Sequence, residues 1–169
     1  MKADAVDSVM DQWAEQRPDV DASPMAPIGR IHRAFHLLQA QVRAFMNSRG
    51  LEDWEFDVLA TLRRAGAPYT LTPKKLVASS MVSSSALTNR VDQLVRRGLV
   101  TREVDPTNRR SVLVTLAPAG LALVDGLVPD HVANERQLLG ALTPNEVDEL
   151  NRLLRKVLVS LGDLPVPAP

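Results

Sequence analysis

The sequence predicts a mainly α-helical chain with one small β-hairpin near its middle, and three patterns carry that expectation. Apolar residues recur at spacings of three and four through most of the chain, the period of helices buried along one stripe. That period gives way in residues 99–116 to two β-branched runs, Leu99-Val100-Thr101-Arg102-Glu103-Val104 and Ser111-Val112-Leu113-Val114-Thr115-Leu116. Between them lies the charged loop Asp105-Pro106-Thr107-Asn108-Arg109-Arg110. Helix boundaries are also written explicitly, by capping residues at the starts and by glycine and proline at the stops.

In chain order, residues 5–17 form an amphipathic helix, separated by Pro18, Pro24 and Pro27 from a long helix over residues 28–48. Ile28, Ile31, Phe35, Leu38, Val42 and Phe45 draw a narrow seam along that helix, suited to another helix. A further helix runs through Leu51, Trp54, Val58, Leu59 and Leu62. After the hairpin, Leu121, Val124, Val128, His131, Glu135 and Leu138 continue the helical spacing, with Pro129 placed to kink it. The last helix opens at Thr143, with Pro144 at its first position and Glu146 at the third, which together make a capping box. Val147, Leu150, Leu154, Val157 and Leu161 form its seam, and residues 163–169 are a flexible proline-rich tail.

Residues 72–116 read as one continuous device: a short helix, a turn, a second helix and then the hairpin. The second helix starts at Ser83-Ser84-Ser85, where a hydroxyl caps free backbone N–H groups, and stops at Arg96-Arg97-Gly98. Leu87, Val91, Leu94 and Val95 form its packing stripe, while Ser85, Thr88, Asn89, Asp92 and Arg96 fall on the other side. A small polar helix start lets the backbone approach a nucleic-acid groove, and the paired arginines beside it meet phosphates. The same elements also occur in ordinary α+β cores and in winged-helix modules that dock a protein.

Composition narrows the classes. The 169 residues suit one domain with a sizeable core, and 45% hydrophobic content supports a folded chain. No apolar run is long enough for a membrane span, and Met1-Lys2-Ala3-Asp4 does not begin a secretory signal, so a cytoplasmic location without membrane contact is expected. The absence of cysteine excludes disulfides, thiolate metal sites and cysteine-based redox sensing. The zero net charge hides a strong polarity. Residues 72–110 carry eight basic and three acidic side chains, whereas residues 1–27 carry two basic and six acidic ones. His32 and His36 have the one-turn spacing of two metal ligands but no third ligand nearby in sequence, so no metal is expected. No nucleophile elbow, phosphate-cradling glycine loop or His-Glu-x-x-His helix occurs, and the chain is not read as an enzyme with catalytic residues.

With these residues in view, the chain resembles the MarR family of bacterial transcription regulators over residues 28–161. The motifs that carry the resemblance are residues 72–76 (TPKKL), 83–91 (SSSALTNRV), 98–102 (GLVTR) and 105–110 (DPTNRR). The resemblance implies a homodimeric winged helix-turn-helix regulator, with residues 83–97 in the major groove of double-stranded DNA and Arg110 as the minor-groove wing arginine. The family's wing often reads Asp-x-Arg-Asp-Arg-Arg; here Thr107 and Asn108 stand in the middle, which removes a charge of each sign. It also implies an organisation in which residues 1–26 are an N-terminal helix and linker, 27–50 and 117–162 a dimerisation region, and 51–116 the DNA-binding region. Candidate DNA contacts are Ser83, Ser84, Ser85, Thr88, Asn89, Arg96, Arg109 and Arg110.

A finer resemblance is to the urate-responsive subgroup and its carboxylate-sensing relatives, whose added N-terminal helix supplies a ligand-binding tryptophan. Trp13, Asp57, Arg90 and Arg102 match that subgroup's four ligand positions. The implied effector is a urate-like, carboxylate or phenolic anion, and no cofactor is implied. Geometry adds an independent point: at 100° per residue Arg90 flanks the Leu87-Val91-Leu94 stripe and points toward the protein. An arginine there needs an anionic partner, for which Asp57 is placed, either as a ligand switch or as a brace between two helices.

Overall fold

The computed structural model describes residues 2–79 and 87–164, and it falls into two compact units, residues 1–44 and 45–169. In the first unit, α1 (Ala5–Gln16) starts at Asp4, whose carboxylate accepts from the N–H groups of Val6 and Asp7 at 2.7 and 3.1 Å. The Asp7 carboxylate returns the bond to the Asp4 N–H at 2.8 Å, so a reciprocal capping box closes the first turn. Arg30, on α2 (Met25–Ser48), donates to both Asp4 and Asp7 and so ties the two helices; its guanidinium holds the Asp4 carboxyl below the usual carboxylate range.

The long helix begins at Met25, three residues before the sequence expectation. Pro27 therefore lies in the first turn rather than in the linker, where a proline deprives the helix of no hydrogen bond because those N–H groups have no intrahelical acceptor. Along α2 the expected seam is open, with Ile28, Ile31, Phe35 and Leu38 all exposed.

The second unit is built on α3 (Asp53–Arg64), which buries Phe56, Val58, Leu59 and Leu62. Around it lie α4 (Pro73–Ser79), the described part of α5 (Leu87–Arg96) and a small antiparallel sheet; α6 (Pro118–Leu138) also packs on α3. The core joins Leu71, Leu76, Leu87, Val91, Leu94, Val100, Val114, Leu116, Val124 and Leu127. The expected hairpin is present as β2 (Val100–Asp105) and β3 (Asn108–Leu116), but the sheet has a third strand, β1 (Thr70–Leu71), giving the order β1-β3-β2. Two residues carry no readable period, so only the partner strand reveals β1: Thr70 pairs with Thr115 and Leu71 with Val114.

The stop of α5 is a Schellman turn. Gly98, at φ 68°, sends its N–H to Val95 at 2.9 Å, and the Leu99 N–H bonds Leu94 at 3.0 Å. The Leu99 carbonyl then accepts from the Ala117 N–H at 3.0 Å, at the start of α6. Downstream, α6 runs through Pro129, and α7 (Pro144–Ser160) opens on the expected capping box, Thr143 N–H to Glu146 at 2.7 Å. No residue of α7 is buried, so its seam of Leu150, Leu154 and Val157 is open too.

Gly120 sits against this junction, and a Cβ there would stand 2.0 Å from the Leu99 carbonyl oxygen. That oxygen is backbone, so it has no side-chain rotation with which to yield. Gly120→Ala should therefore destabilise the fold by about 1–3 kcal/mol, visible as a thermal midpoint roughly 3–10 °C lower. An unchanged midpoint would show that α6 moves off Leu99 freely.

Candidate nucleic-acid interface

The second helix of the reading device divides as its sequence requires. Leu87, Val91 and Leu94 are buried, while Thr88, Asn89 and Arg96 are exposed. Val95, expected in the packing stripe, is 38% exposed instead. It lies about 80° from Leu87 around the helix, at the stripe's edge, so the helix can pack without covering it. Ser83, Ser84 and Ser85 lie outside the described residues. The basic side chains Lys74 and Lys75 on α4 are likewise exposed.

The wing differs from the expectation of an arginine-tipped loop. Its strands run further than their β-branched cores, so Arg109 and Arg110 belong to β3 and only Pro106 and Thr107 form the turn. The register shifts between Val104, opposite Val112, and Asp105, opposite Asn108. Three residues of β3, Arg109 to Ser111, therefore face one step of β2, a bulge that twists the tip. The tip is held by short-range hydrogen bonds. Asp105 accepts from the Thr107 hydroxyl at 2.7 Å and its N–H at 2.8 Å, and the Asn108 side-chain oxygen Oδ1 accepts from the Arg110 N–H at 3.2 Å.

Three arginines of the region engage partners within the protein. The Arg90 guanidinium stands over the Trp54 ring of α3, 5.3 Å from its centroid. Arg102 of β2 donates to Asp92 of α5 at 3.0 Å, so the wing is fastened to the helix beside it. Arg97 donates through Nη1 to both oxygens of Glu55, at 2.7 and 2.6 Å, and through Nη2 to the Gly50 carbonyl at 3.1 Å. Asp57 is half-buried on α3, one turn from Trp54, whereas Trp13 is 41% exposed on α1 of the other unit.

Sequence reasoning placed Trp54 only in an apolar seam, Asp92 only on the polar face and Arg97 only at a helix stop, and it anticipated none of the pairings Arg90–Trp54, Arg102–Asp92 and Arg97–Glu55. Glu55 had a local signal, because it follows Glu52 by three residues and accepts the Glu52 N–H at 2.9 Å as a helix cap. Its partner lies 42 residues away, a separation no local pattern spans. On α2 the His32 and His36 rings meet edge to face with Nε2 atoms 3.0 Å apart, and no group of three or more metal-ligating side chains occurs among the described residues.

A polar-faced helix with a twisted basic wing clipped to it is a winged helix-turn-helix, the fold of a DNA-binding regulator. Comparison with known proteins narrows the class. A model described as MarR family matches residues 49–111. The chain is 38% identical over 152 residues to the HTH-type transcriptional regulator PecS of Dickeya dadantii, covering 90% of this chain and 92% of that one. It superposes on a mutant Escherichia coli MarR complexed with operator DNA with a TM-score of 0.71 at 30% identity, over 82% of this chain and 99% of that chain. Bordetella bronchiseptica BpsR, solved for the mechanism by which 6-hydroxynicotinic acid regulates its DNA binding, gives a TM-score of 0.68 at 30% identity, over 75% and 89% of the two chains. The chain belongs to the MarR family of transcriptional regulators. Its function is therefore DNA binding in transcription regulation.

The Thr107 bonds, side chain before backbone, hold the Asp105 carboxyl below the usual carboxylate range. They favour the ionised form, so the turn gains from them above the unfolded-state pKa and loses that gain as pH falls through the lowered value. In an NMR titration, Thr107→Val should move the Asp105 pKa back up toward the ordinary range. A carboxyl that titrates identically in both proteins would show that Thr107 does not hold the tip.

Proposed function

We propose that the protein is a homodimeric repressor that binds a pseudo-palindromic operator near its own gene and is released by a small planar anion. The observation that carries the effector part is the parking of Arg90. A cation on the recognition helix is turned away from the polar face and rests on an aromatic ring of α3. A cation–π contact at a half-exposed site is worth about 0.5–1 kcal/mol, little enough for a carboxylate or urate-like anion to outbid it. Such an anion competes with Trp54, and with the Asp57 carboxylate one turn along α3, for Arg90; it draws Arg90 off the ring and re-aims α5, to which Arg102 is bonded through Asp92. DNA affinity falls to the extent that the anion prefers the re-aimed helix. BpsR, similar over most of its length, supports an aromatic carboxylate as the chemical class.

Dimerisation is supported by the open apolar seams of α2 and α7, where Ile28, Phe35, Leu154 and Leu161 lie exposed. Exposed seams of this length are rare on monomers and suit a two-fold helical interface. Two copies so related present their recognition helices to successive major-groove faces, roughly 34 Å apart. Ser83, Ser84, Ser85, Thr88, Asn89 and Arg96 then meet the major groove, with Arg109 and Arg110 at the minor groove. The DNA-binding region of residues 51–116, flanked by helices at 27–50 and 117–162 for dimerisation, follows from this reading.

Two measurements test it. Arg110→Ala should weaken operator binding about tenfold and lower the salt dependence by about one counterion per wing; unchanged affinity at moderate salt would remove the wing arginine from the interface. Arg90→Ser should keep operator binding within a few-fold while urate and 6-hydroxynicotinic acid lose their effect on it. If the variant answers these anions as the native protein does, the switch lies elsewhere.

A further inference from the structure

The first turn of α3 holds the recognition helix at two points. Trp54 carries Arg90, and the next residue, Glu55, takes Arg97 through both carboxylate oxygens. Arg90 and Arg97 are seven residues apart, about 10 Å along the helix. One anchor fixes where a rod sits, whereas two separated anchors also fix its direction.

The second anchor is the firmer. The Glu55 side chain is 5% exposed, and a carboxylate so buried is costly unless paired and hydrogen-bonded. Here every requirement is met: Arg97 Nη1 serves both oxygens and the Glu52 N–H serves one of them. The same guanidinium reaches the Gly50 carbonyl, so a single side chain joins the end of α5, the start of α3 and the turn after α2. Arg97 itself is 42% exposed, on a cleft of about 340 Å³ lined by Asn47, Gly50, Leu51 and Glu52. Such a pair adds little net stability over an apolar substitute, and its value is geometric.

We infer that Glu55 and Arg97 are positioning residues for DNA reading: the pair sets the angle at which α5 presents its polar face, and thereby the preference for operator over other duplex, with Glu55 never touching DNA. This rests on the reading of α5 as the recognition helix.

The test compares Glu55→Gln, Arg97→Gln and the double variant for binding to operator and to random duplex, with thermal midpoints alongside. Glutamine can still accept the Glu52 N–H, so Glu55→Gln keeps the helix cap and removes the ion pair alone. Operator affinity should fall about tenfold, the size of a lost base contact, with random-duplex affinity unchanged. The double variant leaves no buried charge and should show the same loss rather than twice that loss. Arg97→Lys, which keeps the charge but cannot also span to Gly50, should fall between. The inference is overturned if Glu55→Gln or the double variant keeps native operator preference. It is equally overturned if only Arg97 variants lose affinity, and equally for both duplexes, since Arg97 would then be a phosphate contact. Thr88→Ala with Asn89→Ala in the same assay separates the two readings: preserved operator preference there would instead remove α5 from the groove.

Discussion

Leu99 is shared by the elements on which the DNA-binding unit depends. Its N–H ends α5 by bonding Leu94, its carbonyl accepts from Ala117 at the start of α6, and its side chain is buried. Gly120 leaves only a hydrogen's width beside that carbonyl. The recognition helix, the first wing strand and the helix that continues toward the C-terminus therefore share one residue of backbone. A shift of α6 cannot be absorbed by side-chain rotation at this joint and must pass to α5 or β2, because close-packed interiors yield by discrete rearrangement rather than by stretching. In the proposed dimer, that places the helical interface in mechanical contact with the DNA-reading surface.

The charge map looks different once partners are assigned. Sequence counting gives residues 72–110 eight basic side chains, yet Arg90, Arg97 and Arg102 face Trp54, Glu55 and Asp92 within the protein. Lys74, Lys75, Arg96, Arg109 and Arg110 are exposed too, and in the proposed interface they are the ones that meet phosphates. In that proposal the three engaged arginines orient the surface and the other five supply its attraction. Salt sensitivity should accordingly reflect the smaller set, because counterions are released only by cations that approach the backbone.

What was legible in the sequence was local. The Thr143 capping box, the glycine stop at Gly98 and the Leu87, Val91 and Leu94 stripe are each complete within a few residues, and each appears where expected. The inward turn of Arg90 also follows from helical geometry, although its aromatic partner does not. What was illegible was set by tertiary pairing. Strand β1 exists because β3 offers it an edge, and Glu55 is paired by a residue 42 positions away. The wing was misread in its extent because β-propensity marks only the apolar core of a strand. Arg109 and Arg110 join β3 through a bulge that twists its tip, a device with no propensity signature.

The two anchors on α3 differ in strength, and that difference shapes how a ligand acts. The Arg90 contact is a single cation over a ring, whereas Arg97 makes charge-assisted hydrogen bonds to a buried carboxylate and one to a carbonyl. In the proposed mechanism, a ligand that competes for Arg90 releases one end of the helix and leaves the other fixed. The outcome is rotation about the Arg97 end rather than detachment of the helix. Residues nearest the released end move most, and these include Thr88 and Asn89, the candidate base contacts. Arg102, bonded to Asp92 two residues beyond Arg90, carries the same rotation into β2 and the wing. Under the proposed function, a small anion would thus reach the major-groove and minor-groove elements through one lever, with the core of the unit left intact.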